Sequence, residues 1–304
     1  MKLIFSIYCF SLFFFTPIFA QNSIDNFLKP ADSLLISRRN AVVITEFISI
    51  SGALVGLNEL WYKDYPRTKF HFINDNKEWL QMDKLGHVYS AYHIGNTGAN
   101  LLQWSGATKQ QQVLYGSTLG FVFLTAVETL DGYSQNWGAS SGDILANASG
   151  TALYVSQEFL WKEQRIIPKF SFHTTQYASL RPDALGESLN EQILKDYNGQ
   201  TYWLSANLHS FFPTSKIPKW VNVAVGYGAE GMISGNNRIS DANNGFVDKR
   251  HRQFYLSFDI DLTKINTKSH FLRTIFSIFN TLKIPAPSLE LTSNGVVNFH
   301  CLYF

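Results

Sequence analysis

From residue 38 to residue 161 the apolar positions recur at helical spacing, in four runs separated by short polar or glycine-containing breaks. The runs are 38–62 (RRNAVVITEFISISGALVGLNELWY), 83–104 (DKLGHVYSAYHIGNTGANLLQW), 107–130 (ATKQQQVLYGSTLGFVFLTAVETL) and 140–161 (SSGDILANASGTALYVSQEFLW). Four helices of this length predict a bundle. Small residues stand four apart at Ala91 and Gly95, Gly116 and Gly120, and Ala146 and Gly150. That spacing predicts closely approaching backbones, a packing mode that matters most in lipid. The bundle is therefore expected either to be embedded in or face a membrane, or to be a soluble bundle with a few packed glycines.

After Pro168 the period shortens to two. Segments 169–178, 201–212, 219–232, 252–265, 287–293 and 296–304 alternate larger apolar residues with smaller or polar ones, and turn-rich stretches such as SGNNRISDANNG separate several of them. About six strands are expected, interrupted by an amphipathic segment at 268–284. The expected fold class is α+β. A four-helix module covers 21–167, and an antiparallel β-rich region covers 168–304, with an aromatic terminal strand closing on Phe304. Outer-membrane barrels commonly end on such an aromatic, but bacterial single-chain barrels start at eight strands. On the count, a smaller sheet packed against the helices is the better expectation.

Residues 1–20 change the picture of where this chain works. Lys2 is followed by an apolar run from Leu3 to Phe15, then Pro17 and Ala20, the pattern of a cleavable secretory signal. An exported location in the periplasm or outer membrane is expected. Cys9 lies inside the signal behind Tyr8, not the small residue a lipid-attachment site needs, so a lipoprotein is not expected; Cys301 alone then offers no disulfide. The formal charge of +2 and the absence of a basic run argue against nucleic acid.

Between Leu85 and Gln157 the only Asp, Glu, Lys or Arg residues are Lys109, Glu128, Asp131 and Asp143. Asp83 and Asp143 fit helix starts, and Ser140 with Asp143 fits an N-terminal cap. Glu128 and Asp131 do not fit so simply, because they share one face near a helix C-terminus, where the dipole disfavours anions. His87 lies one turn after Asp83, and Asn147 one turn after Asp143. In an up-down arrangement the start of the second helix, the end of the third and the start of the fourth meet at one end. His87, Glu128, Asp143 and Asn147 are thus expected to form an acid–base site, or Asp83, His87, Glu128, Asp131 and Asp143 a divalent-metal site. His93 and Asn96 are expected to be hydrogen-bond partners between helices. No G-x-S-x-G nucleophile and no phosphate-loop lysine is present.

At DKLGH, ETLDGYS and GDILANASG the chain resembles the YfiM-like family of predicted periplasmic or outer-membrane proteins of unknown function. More distantly it is similar to the VanZ-like membrane proteins, through Lys84 and His87, then Glu128, then Asp143, Asn147 and Gly150. The resemblance covers roughly residues 80–160 and implies an envelope protein without implying a substrate. The expected function is metal binding or acid–base chemistry on an envelope lipid or glycan. The alternative is a non-enzymatic binding or scaffolding protein at the outer membrane, in which the polar cluster is structural. The sequence names no protein partner.

Overall fold

The computed structural model describes residues 23–63, 65–236 and 249–304. The signal-like segment and Cys9 lie outside the described residues. The protein is a mixed helix-and-sheet fold. Its long helices are α1 (Ile36–Leu57), α2 (Met82–Trp104), α3 (Leu119–Gly132) and α4 (Ser141–Leu160).

Helix α2 is the centre of the helical half. A Cβ added at Gly120 of α3 would lie 2.2 Å from the Ala91 carbonyl oxygen, and one at Gly150 of α4 would lie 2.2 Å from that of Val88. The small residues therefore do what their spacing suggests: they let α3 and α4 seat directly on the α2 backbone. Gly150→Ala tests this. Alanine is the better helix former by about 1 kcal/mol, yet the backbone clash should reverse the sign and destabilise by about 2 kcal/mol. Urea unfolding followed by circular dichroism would show the loss.

Helix α1 does not join this packing on equal terms. Val42 is its one buried residue, clustered with Leu102 and Ala107, while Phe47 and Val55 are exposed. Gly52 and Gly56 have nothing within 4 Å of where a Cβ would stand. Three helices pack intimately and α1 lies at their margin, so a bundle of four equivalent helices is not what forms. Gly52 and Gly56 stand at the same four-residue spacing, but no neighbouring helix seats on them. By length and composition alone, Ile36–Leu57 and Lys109–Gly132 are apolar enough to cross a membrane.

The expected helix at 107–130 is also divided. Thr108 caps a single turn at Lys109–Gln111, a wide π-helical turn follows at Gln112–Gly116, and regular α3 begins at Leu119. Ser117 and Thr118 return their hydroxyls to the Val113 and Leu114 carbonyls, which bends a helix at this point. The bend brings Gly116 and Gly120 onto α2 in succession.

The second half forms one antiparallel sheet with strands in sequence order: β1 (Ile166–Phe172), β2 (Gln200–Asn207), β3 (Val221–Glu230), β4 (His251–Ile260), β5 (Ala286–Thr292) and β6 (Val297–Tyr303). All six expected strands are present, and α5 (His270–Phe279) occupies the amphipathic interruption. β1 and β6 do not pair, so the sheet is an open meander rather than a closed barrel. It curls strongly nonetheless, because the Tyr303 hydroxyl of β6 reaches Thr201 of β2 at 3.2 Å and Tyr255 of β4 at 2.9 Å.

Helix α2 rests on the first two strands. Tyr89 packs against Phe170 and Tyr202, and His93 Nε2 donates to the Pro168 carbonyl at 2.7 Å. His93 thus bonds to a strand, not to another helix. Burial holds its pKa down at about 4, so it is neutral.

Candidate functional site

Three helix ends converge as the sequence order suggests. Asp83, Lys84 and His87 come from the first turns of α2, Glu128 from the last turn of α3, and Asp143 and Asn147 from the start of α4. The chain enters α2 through Trp79, Leu80 and Gln81, whose φ angles are 46°, 51° and 67°. Three consecutive non-glycine residues in the left-handed region are costly and persist only where surroundings hold them. The sheet supplies the hold. Tyr227 and Arg252 both donate to the Leu80 carbonyl, Arg252 also donates to the Gln81 side chain at 2.6 Å, and Trp79 packs on Tyr197.

The centre of the cluster is the His87 ring. Its Nδ1 bonds to Asn147 Oδ1 at 2.9 Å, which places the proton of a neutral ring on Nδ1 and leaves the Nε2 lone pair free. Nε2 faces three carboxylate oxygens: Glu128 Oε1 at 3.7 Å, Asp143 Oδ1 at 3.8 Å and Asp83 Oδ1 at 3.9 Å. These separations are too long for hydrogen bonds. Facing atoms of Asp83, His87 and Asp143 all lie within 4.8 Å of one another. Donors bound at about 2.1 Å to one metal ion stand about 3.0–3.5 Å apart, so the Nε2–oxygen pairs would close by about half an ångström and the Asp83–Asp143 oxygens by up to about 1.5 Å. Asn147 is fully buried, and its Nδ2 has no hydrogen-bond partner among the described residues.

A lysine and two hydroxyls tie the ring of acids together. Lys84 Nζ lies 2.7 Å from Asp75 Oδ2, 2.7 Å from Asp143 Oδ1 and 3.2 Å from Asp83 Oδ2. Ser140 donates to Asp75 at 2.6 Å, accepts from the Asp143 N–H, and gives its own N–H to Glu128 Oε2 at 2.9 Å. The expected Ser140 cap is therefore real, but the Asp143 carboxylate turns inward to Lys84 instead of back to the cap. Tyr197 donates to Asp83 Oδ1 at 2.8 Å.

Burial sets the protonation of the acids. Glu128 and Asp143 are 2% and 4% exposed. Desolvation, reinforced by the neighbouring carboxylates, pushes each pKa up to about 7. For Asp83, burial works against ionisation, but His87 and Lys84 outweigh it and hold the pKa below the usual value. Burial likewise opposes the charged form of His87, and Asp83, Asp143 and Glu128 together raise its pKa nonetheless.

These shifts give a pH window with a definite sign. Glu128 rises from 4.5 and Asp143 from 3.8, each to about 7, so the folded protein holds protons that the unfolded chain releases. Stability must then fall as pH rises from about 4 to 7. The raised His87 acts in the same direction, its contribution being lost as pH rises through the folded value. Asp83 acts oppositely, losing its contribution only as pH falls through its lowered value. For metal-free protein, thermal scans should show a melting temperature about 4 °C lower at pH 8 than at pH 5, corresponding to about 2 kcal/mol. Glu128→Gln should remove much of that difference.

Asp131 does not join the cluster. It accepts a hydrogen bond from Tyr62 at 2.7 Å, and burial raises its pKa to about 6. No carboxylate oxygen of Asp131 is among those facing His87 Nε2. Sequence reasoning missed Asp75, Ser140 as a direct partner of two acids, and Tyr197. Asp75 sits in a polar loop, NDN, that carries no helical phase, and Tyr197 arrives from more than a hundred residues away. Only the Ser140 cap motif offered a signal.

Residues 71–158 match the profile of a family described as predicted periplasmic lipoproteins of unknown function (DUF2279). The match covers under a third of the chain, but it contains every residue of the cluster except Tyr197. No curated protein and no solved structure matches the chain. The family description agrees with an exported protein of the periplasm or outer membrane, as read from residues 1–20. It also says lipoprotein, whereas Cys9 follows Tyr8.

Proposed function

We propose that this envelope protein binds a divalent cation among Asp83, His87, Glu128 and Asp143, and uses the site in acid–base chemistry on an envelope lipid or glycan. One observation carries the reading. His87 Nε2 faces oxygens of Glu128, Asp143 and Asp83 at 3.7–3.9 Å, too far to hydrogen-bond, and the Asp83, His87 and Asp143 donors are grouped closely enough to share one ion. The mixed nitrogen and oxygen donors suit zinc, manganese or iron better than calcium. Such an ion, when bound, supplies Lewis acidity toward a phosphoryl or carbonyl oxygen.

The protein groups take defined parts. Asn147 fixes the His87 tautomer, and Lys84 balances the excess negative charge. Glu128, with its pKa near 7, can accept and return a proton at neutral pH. Since Glu128 and Asp143 are closed off and only Asp83 and His87 retain appreciable side-chain exposure, what enters must be small. Water, an ion or one substituent of a larger substrate fits. The more distant similarity to VanZ-like proteins, which rests on Lys84, His87, Glu128, Asp143, Asn147 and Gly150, supports the same residue set.

A second reading has its own support. Lys84 joins Asp75, Asp83 and Asp143 across two helices and a loop, which is what a helix-locking network in a scaffolding protein would do. Calorimetric titration of chelator-treated mature chain with Zn²⁺ and Mn²⁺ separates the two. One-to-one binding with proton release supports the metal site; no binding by either ion leaves the locking network.

A further inference from the structure

The sheet has its polarity reversed. In register across β2 to β6, one row reads Leu204, Val225, Leu256, Leu289 and Phe299, and every member is between 44% and 64% exposed. The adjacent row, on the opposite face, reads Trp203, Gly226, Tyr255, Glu290 and Asn298. That inner face also buries Lys169 against Asp259 at 2.7 Å, and pairs half-buried His300 with buried Glu290 at 2.7 Å. An antiparallel sheet in water normally turns its apolar face to the core and its polar face outward. Polar inside and apolar outside is the alternation of a sheet that meets hydrocarbon.

The border of this face has a matching chemistry. The register places the start of β1, the end of β2, the start of β3 and the end of β4 at one end of the sheet. The connections leaving that end include 208–220, which has no Asp or Glu, and 261–285, whose one acid, Asp261, is buried. The same stretches present exposed Lys216, Lys219 and Lys268 beside exposed Phe212, Trp220 and Phe271. Basic residues interleaved with aromatics are suited to the headgroup layer of an anionic membrane, where the rings lie at the interface and the cations meet phosphate. Asp25, bonded to Ser269, and Glu163, paired with Arg165 and Lys264, also lie at this end, so the rim keeps a basic excess rather than a single sign, and that excess beside apolar strands suits an anionic lipid surface better than a protein partner.

We propose that the protein docks on an anionic lipid leaflet, with the outer face of the sheet against the acyl chains and the 208–220 and 261–273 end at the headgroups. The metal site lies at the opposite end of this face from the 208–220 connection, where Tyr227 and Arg252 hold the entry to α2, and the vesicle test needs no cation.

Vesicle co-sedimentation of the full mature chain tests it. Binding to phosphatidylcholine vesicles containing phosphatidylglycerol should exceed binding to phosphatidylcholine alone by about tenfold, and Lys216→Glu with Lys219→Glu should abolish that preference. Leu256→Asn with Phe258→Asn, both exposed positions, should weaken binding to either vesicle by about tenfold while circular dichroism stays unchanged. Absence of vesicle binding overturns the proposal. So does a concentration-dependent dimer lost in the Leu256 and Phe258 variant, because a second copy would then cover the face.

Discussion

Replacing Lys84 by methionine should lower the stability of the metal-free protein by about 3–5 kcal/mol, the cost typical of removing one partner from a buried ion cluster. The ammonium touches Asp75, Asp83 and Asp143, and its side chain is 13% exposed. Without it, those carboxylates face one another across the junction of α2, α4 and the 74–76 loop. Urea unfolding of wild type and variant in chelator gives the difference directly. A loss under about 1 kcal/mol would mean that the ammonium does not hold these helix ends together. Added divalent cation should restore part of the loss, and the variant should bind the ion more tightly than wild type, because Lys84 Nζ otherwise covers the Asp143 oxygen that faces His87.

His87→Ala should abolish divalent-cation binding, a fall of about 100-fold or more in affinity, since it removes the one nitrogen donor facing the three acids. The fold should survive, because among the described residues His87 makes a single hydrogen bond, to Asn147. Asp131→Asn is the matched control. Asp131 is bound to Tyr62 and stands outside the cluster, so its substitution should leave the affinity unchanged. Equal losses in both variants would point to a general weakening of the helix ends and defeat the metal reading.

The meeting of His87, Glu128, Asp143 and Asn147 was legible because each lies at a helix end in a phase that local spacing fixes. Alternating helix direction then brings those ends together. Asp131 looked equivalent because it shares a helical face with Glu128. Near the end of α3, however, the hydroxyl of Tyr62 claims it. Asp75 was illegible because a loop residue has no period to place it. The division of the 107–130 run follows from hydroxyls and glycines whose effect depends on how closely α2 approaches.

What the sequence determined by itself is periodic: long helices, then six strands from the neighbourhood of Pro168 onward, small residues where backbones touch, and an acid-rich helix junction. Period and composition are local properties, and they survive being read one residue at a time. What only the tertiary structure decided is relational. It set α1 apart from the other helices, drew Asp75 and Tyr197 into the site, and held Trp79 to Gln81 in left-handed conformation through Arg252 and Tyr227. It also turned the apolar face of the sheet outward. Strand alternation says that one face is apolar, but the direction that face points depends on how the sheet curls and on which polar groups it encloses.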